Sequence, residues 1–172
     1  MDHFTEGYIT EILPHLYLGD IYVSQNHSTL QEHNIKHIVN VSNLPSYITF
    51  PGIEYKHIPV YDFPTQNISR YFHETNTFIA EKRAKGENVL VHCMAGISRS
   101  VSVVLAYMIS IGYSLRDALR HVSELRKNRW ARPNTGFFQQ LIEYEKEKRG
   151  SSSITMNEYK SYIEYLVFSA FN

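Results

Sequence analysis

The segment VHCMAGISRS, residues 91–100, holds the only cysteine of the chain. Glycine follows that cysteine at the third position and arginine at the sixth. An ionised thiol is a strong nucleophile, and the planar guanidinium of Arg99 can bind two oxygens of a phosphate at once. Gly96 allows a backbone conformation that other residues resist. Between Cys93 and Arg99, the N–H groups of Met94, Ala95, Gly96, Ile97 and Ser98 can turn inward and form an anion nest. None of those five side chains is charged, so the backbone and Arg99 would carry the binding. A helix starting near Arg99 would add unsatisfied donors and a partial positive charge. The same field that attracts a dianion favours the thiolate of Cys93. A site with both properties suits attack on phosphorus and a covalent phosphocysteine.

This chemistry needs a particular frame. The apolar run Asn88-Val89-Leu90-Val91 predicts a buried central strand, and the aliphatic residues 101–108 predict a helix over 99–111. The loop would then lie at the carboxyl end of a strand, where α/β proteins bind ligands. Further strands are predicted around residues 12–20 (two short ones), over 35–41, and over 55–60. A short helix is predicted over 24–34, capped by Ser24 or Ser28. Longer helices are predicted over 68–84, 114–128 and 135–148, with Ser114 as an N-cap. The expected fold class is α/β, with a central, mostly parallel twisted sheet and helices on both faces. Asp62 ends the strand over 55–60, on the same edge as the cysteine loop, so it is placed to supply an acid. Aspartate before Phe-Pro also forms turns, and that reading stands beside the first. Asp20 is read as a turn residue.

The composition narrows the classes. A length of 172 residues suits one catalytic domain, assigned to residues 1–149. Seventeen basic residues balance seventeen acidic ones, so no nucleic-acid binder is expected. The cluster Arg126-Lys127-Asn128-Arg129 is read as a solvated helix end. A lone cysteine forms no internal disulfide, and the N-terminus carries no signal-peptide pattern. No apolar run is long enough to span a membrane. An intracellular protein of a reducing compartment is expected, cytoplasmic with the nucleus left open. No metal and no cofactor is expected.

His92-Cys93-x-x-Gly96-x-x-Arg99-Ser100 resembles the signature of the cysteine-based protein tyrosine phosphatase superfamily. Ala106-Tyr107-Met108, Arg132-Pro133-Asn134-Thr135-Gly136-Phe137 with Gln140-Leu141, and Leu16-Tyr17-Leu18-Gly19 resemble segments of its dual-specificity subfamily. The resemblance covers residues 9–147, and the absence of an upstream docking domain resembles the small, atypical members. It implies Cys93 as nucleophile, Arg99 as phosphate ligand and Asp62 as general acid. It further implies that Ser100 bonds the thiolate. His92 is expected to orient the loop, and Asn134 to buttress it or cap the next helix.

The implied substrate is a phosphoprotein, a kinase among the candidates, carrying phosphotyrosine and phosphoserine or phosphothreonine. The alternatives are a catalytically weak phosphate-binding adaptor, or a phosphatase for a non-protein ester such as an RNA 5′-phosphate or a glucan phosphate. Residues 150–172 read as a Ser-rich linker followed by an apolar, Tyr-rich segment. Its stripe of Tyr159, Tyr162, Ile163, Leu166 and Ala170 would either pack back on the domain or dock on a second copy as a homodimer. Catalysis is expected to survive loss of this tail.

Overall fold

The strand β5 (Asn88–His92) is apolar without alternation because both of its faces are covered. Val89 and Val91 enter the larger core and Leu90 the smaller one, as the two-residue period requires. β5 pairs in parallel with β2 (Leu16–Gly19) on one side and with β3 (Ile35–Val41) on the other. β4 (Glu54–Ile58) runs parallel beside β3, and β1 (Ile9–Leu13) antiparallel beside β2. The strand order is therefore β1-β2-β5-β3-β4. In β3, Ile35 faces the same side as Ile38 despite its parity, because the register shifts between Ile35 and His37. These coordinates are a computed structural model that describes residues 7–127 and 130–169.

Helices cover both faces of the sheet, unequally. α1 (Ile21–Ser24) and α2 (His27–Glu32) bring Val23 and Leu30 onto the smaller core. The other face carries α3 (Phe72–Ala84), α4 (Arg99–Ser110), α5 (Leu115–Leu125), α6 (Thr135–Arg149) and α7 (Met156–Ser169). α4 is buried continuously from Arg99 to Ile109, because the sheet lies on one side and neighbouring helices on the others. No helix among the described residues is long and apolar enough to cross a membrane.

Several local details differ from the sequence reading. The short helix expected over 24–34 forms as α2 and is capped by Asn26 rather than by Ser24 or Ser28, and a further short helix, α1, capped by Asp20, precedes it. Asn26 accepts the Thr29 N–H (3.1 Å), a cap worth ~1 kcal/mol. The Ser24 hydroxyl instead donates back to the Ile21 carbonyl (2.7 Å). Asp20 does more than form a turn: it is buried and accepts the Val23 and Tyr8 N–H groups, both at 3.1 Å. The helix expected from residue 68 begins with a 3-10 turn, Ser69–Tyr71. His37 sits between Glu54 and Glu87, at the sheet edge opposite the cysteine loop.

The serines after Gly150 do not behave as a loose linker. Buried Glu145 accepts the Ser153 N–H (2.9 Å), the Ser152 hydroxyl (3.1 Å) and the Leu115 N–H (2.9 Å). These donors outweigh the cost of burying the carboxylate and hold its pKa below the usual carboxylate range. α7 then folds back on its own chain. Tyr159 stacks face to face on Phe138 with ring centroids 3.5 Å apart, burying both rings in the core. Ala170, expected on the same stripe, lies outside the described residues.

Candidate active site

The segment between β5 and α4 is a tight loop whose carbonyls are pinned outward. Met94 O accepts the Ile21 N–H (3.1 Å), and Ile97 O accepts the Arg132 N–H (3.0 Å). Gly96 O accepts from the Arg126 guanidinium (2.6 Å). In a trans peptide the carbonyl and the following N–H point in opposite directions. Anchoring Gly96 O and Ile97 O on the outside therefore turns the N–H groups of Ile97 and Ser98 toward the interior of the loop. Gly96 makes the turn possible with φ +68°. A Cβ there would stand 2.5 Å from the Gly19 carbonyl, at the end of β2.

The loop encloses one floor of a cleft of about 400 Å³. Asp62, Cys93, Met94, Ile97, Arg99 and Arg132 are among the residues lining it. Cys93 is 2% exposed, and its Sγ lies 3.1 Å from Ser100 Oγ. Arg99 is held by one arm: Nη1 donates to Asn43 Oδ1 (3.2 Å) and to Val60 O (3.1 Å). Its Nε is buried and has no hydrogen-bond partner among the described residues. Burying a guanidinium N–H without a partner is costly, so this donor is poised for an anion.

Asp62 reaches the same cleft from the loop after β4. Its Oδ1 accepts the Ser98 hydroxyl (2.7 Å) and the Asn134 side-chain amide (2.9 Å). Ser98 Oγ in turn accepts the Asn134 backbone N–H (2.9 Å). Asn134 Oδ1 accepts the Phe137 N–H (2.9 Å), so Asn134 caps α6 and ties the two loops together at once. The acid loop is held further by Gln140, whose Oε1 accepts the Ile68 and Ser69 N–H groups, both at 3.0 Å.

His92 lies behind the loop and is fully buried. Its Nδ1–H donates to the Cys93 carbonyl (3.1 Å). Desolvation pushes its pKa down to about 4, so the ring is neutral at physiological pH. A neutral, buried imidazole bonded to the loop backbone orients that loop and does not face the cleft.

The structure thus brings together Asp62, Cys93, Met94, Ala95, Gly96, Ile97, Ser98, Arg99, Ser100 and Asn134, with His92 behind them. Sequence reasoning missed four supports. Arg126 was read with its neighbours as a solvated helix end, yet it is only 4% exposed and bonds the loop; Asn128 and Arg129 of that cluster lie outside the described residues. Asn43 and Val60 orient Arg99 from two other loops. Gly136 faces the acid loop so closely that a Cβ would stand 1.9 Å from Pro64 O. A glycine flanking a helix cap was the one visible hint of that approach. For Arg126 and Asn43 no local signal existed.

Comparison with known proteins agrees with this geometry. The family described as "Dual specificity phosphatase, catalytic domain" matches residues 16–147. Human dual specificity protein phosphatase 6 is 45% identical over 139 residues, covering 79% of this chain and 36% of that protein's length. Mouse dual specificity protein phosphatase 22 is 39% identical over 141 residues, covering 81% of this chain and 75% of that protein. The crystal structure of DUSP15 superposes with a TM-score of 0.76 at 37% identity, covering 83% of this chain and 90% of that one. The match runs from β2 through the cysteine loop and most of α6, so the chain belongs to the dual specificity phosphatase catalytic-domain family.

Proposed function

We propose that this protein hydrolyses phosphotyrosine and phosphoserine or phosphothreonine in proteins through a phosphocysteine intermediate. The observation that carries the reading is the buried Arg99 Nε, without a partner among the described residues, in a cleft that also holds Cys93 beside Ser100. The loop N–H groups and Arg99 bind the phosphate oxygens, and the Cys93 thiolate attacks phosphorus. As the S–P bond forms, the P–O bond to the substrate breaks, and Asp62 gives its proton to the departing oxygen. Water then attacks the phosphocysteine and passes a proton to the Asp62 carboxylate. Inorganic phosphate leaves, and the Ser100 hydroxyl bonds the released thiolate.

The exposed aromatic pair Tyr61 and Phe63, with ring centroids 5.8 Å apart, brackets Asp62 and offers an apolar rim to a protein substrate. A phosphorylated kinase is one such substrate. A thiol nucleophile needs reducing surroundings, which favours the cytoplasm or nucleus as the place of action.

Turnover of p-nitrophenyl phosphate by the wild type beside Cys93→Ser tests the reading. The expected result is full loss of turnover with phosphate binding retained, because the loop N–H groups and Arg99 remain. Turnover by Cys93→Ser above background would overturn the covalent mechanism. Phosphate binding by a wild type without turnover would favour the adaptor instead.

A further inference from the structure

Tyr159 is fully buried and heads the large side chains of the core, yet it lies beyond the family match, which ends at residue 147. Its ring is nearly parallel to Phe138, at 4°. Its hydroxyl donates to the Pro133 carbonyl at 2.5 Å. One helical turn on, the Tyr162 hydroxyl donates to the Ala131 carbonyl at 2.9 Å. Burial raises both phenols above their ordinary pKa, Tyr159 strongly, so both stay protonated across the physiological range.

These two carbonyls belong to peptide groups that also bond the phosphate loop. The Ala131–Arg132 peptide gives its carbonyl to Tyr162 and its N–H to Ile97 O (3.0 Å). The Pro133–Asn134 peptide gives its carbonyl to Tyr159 and its N–H to Ser98 Oγ (2.9 Å). Each plane is thus clamped from both sides. The spacing fits: carbonyls two residues apart on an extended chain are separated by ~6.5 Å, close to the ~5–6 Å between residues three apart on a helix. Ser98 and the Asn134 side chain then hold Asp62 (2.7 and 2.9 Å).

We infer that Tyr159 and Tyr162 are positioning residues for the reaction, fixing the 131–134 segment that sets the phosphate loop and Asp62. This rests on the proposed reaction and opposes the expectation that catalysis is indifferent to the tail. Through Asn134 and Ser98, a shift of the segment reaches the acid first. The loss should therefore be larger for a substrate whose leaving oxygen needs a proton.

The experiment uses the full chain with Tyr159→Phe, Tyr162→Phe and both together. Phenylalanine keeps the ring packing and removes the hydroxyl, which at Tyr162 also takes away a bond with Ser123 Oγ (2.6 Å). Tyr165→Phe, on the exposed side of α7, is the control. kcat and KM are measured on phenyl phosphate and p-nitrophenyl phosphate well below the melting temperature, with the folded fraction followed by circular dichroism. The double variant should lose about 10- to 100-fold in kcat on phenyl phosphate, the order expected of a misplaced catalytic group, and distinctly less on p-nitrophenyl phosphate. Unchanged kcat on both substrates, or an equal loss that follows the folded fraction, overturns the role.

Inorganic phosphate affinity, measured by calorimetry on the same variants, reads the loop without turnover. A weakening in the double variant supports the clamp, and an unchanged affinity together with unchanged kcat removes it. Absence of turnover in the wild type rejects the reaction itself, and the two failures are thereby told apart.

Discussion

The cysteine loop and the acid loop meet in one cleft, but they are built differently. The cysteine loop spans residues 93–98 between β5 and α4, and its nucleophile, nest and arginine are contiguous in sequence. Its turn starts from a strand end, a helix start and one glycine at φ +68°, and Ile21, Arg126 and Arg132 then pin its carbonyls from outside the motif. The acid loop has no such local frame. Asp62 is exposed, and its partners Ser98 and Asn134 stand 36 and 72 residues away. Gln140 and Gly136, also on α6, fix the rest of that loop. The phosphate-binding groups are therefore contiguous in one motif that distant residues hold in place, whereas the placement of Asp62, the candidate proton donor, depends on Ser98, on α6 and on what supports α6.

That contrast is open to direct attack. The largest separation is expected from Asp62→Asn. Loss of a general acid should cost about 10²–10⁴-fold on phenyl phosphate. The cost should be far smaller on a substrate whose leaving group needs no proton, and inorganic phosphate should bind as before. Equal losses on both substrates would make Asp62 a structural residue and move the search to another acid.

A smaller effect is expected from Gly136→Ala, which touches neither the phosphate nor Cys93. The added Cβ would meet the Pro64 carbonyl at 1.9 Å, so backbone must move. Displacing the acid loop should lower kcat on phenyl phosphate by about 10- to 100-fold. Phosphate affinity, set by the cysteine loop, should hold. If calorimetry found phosphate binding lost along with kcat, the two loops would not be separable in the way the contacts suggest.

The smallest effect concerns the cysteine loop alone and reads stability. His92 has a folded pKa of about 4, below the ordinary histidine value of 6.5. The unfolded chain therefore binds the proton more readily. The stability due to the neutral ring is complete above pH 6.5 and is lost as pH falls toward 4. Between pH 6.5 and 5 this single group should remove about 2 kcal/mol. That corresponds to a Tm lower by about 4–8 °C for a domain of this size. His92→Gln should flatten that part of the Tm–pH curve. An unchanged curve would mean that the imidazole is not held neutral behind the loop.

Much of the frame was legible before any coordinates. β5 was expected over residues 88–92 and forms there, because an uninterrupted Val-Leu-Val run can be satisfied only by cover on both faces. α6 begins after Asn134, where Pro-Asn-Thr signals a cap. Helix starts with competing caps were harder to read. Ser24, Asn26 and Ser28 all offer side-chain oxygens; Ser24 turns back to the Ile21 carbonyl of α1, and Asn26 takes the cap. The basic cluster misled for a related reason. Arginine at a helix end is usually solvated, and nothing local marks the one that slides beneath a loop from thirty residues away.

The sequence by itself picked out Cys93 as candidate nucleophile, the loop able to form an anion nest, Arg99, and the strand and helix that flank them. These follow from residue type and spacing over a few residues, where periodicity and chain stiffness act. Only the tertiary structure decided what holds Asp62, which arm of Arg99 stays available, and where Tyr159 and Tyr162 deliver their protons. Each of those depends on groups far apart in sequence meeting within about 3 Å, the reach of a hydrogen bond. That meeting is set by the packing of α6 and α7 on the sheet, and no short stretch of residues contains it.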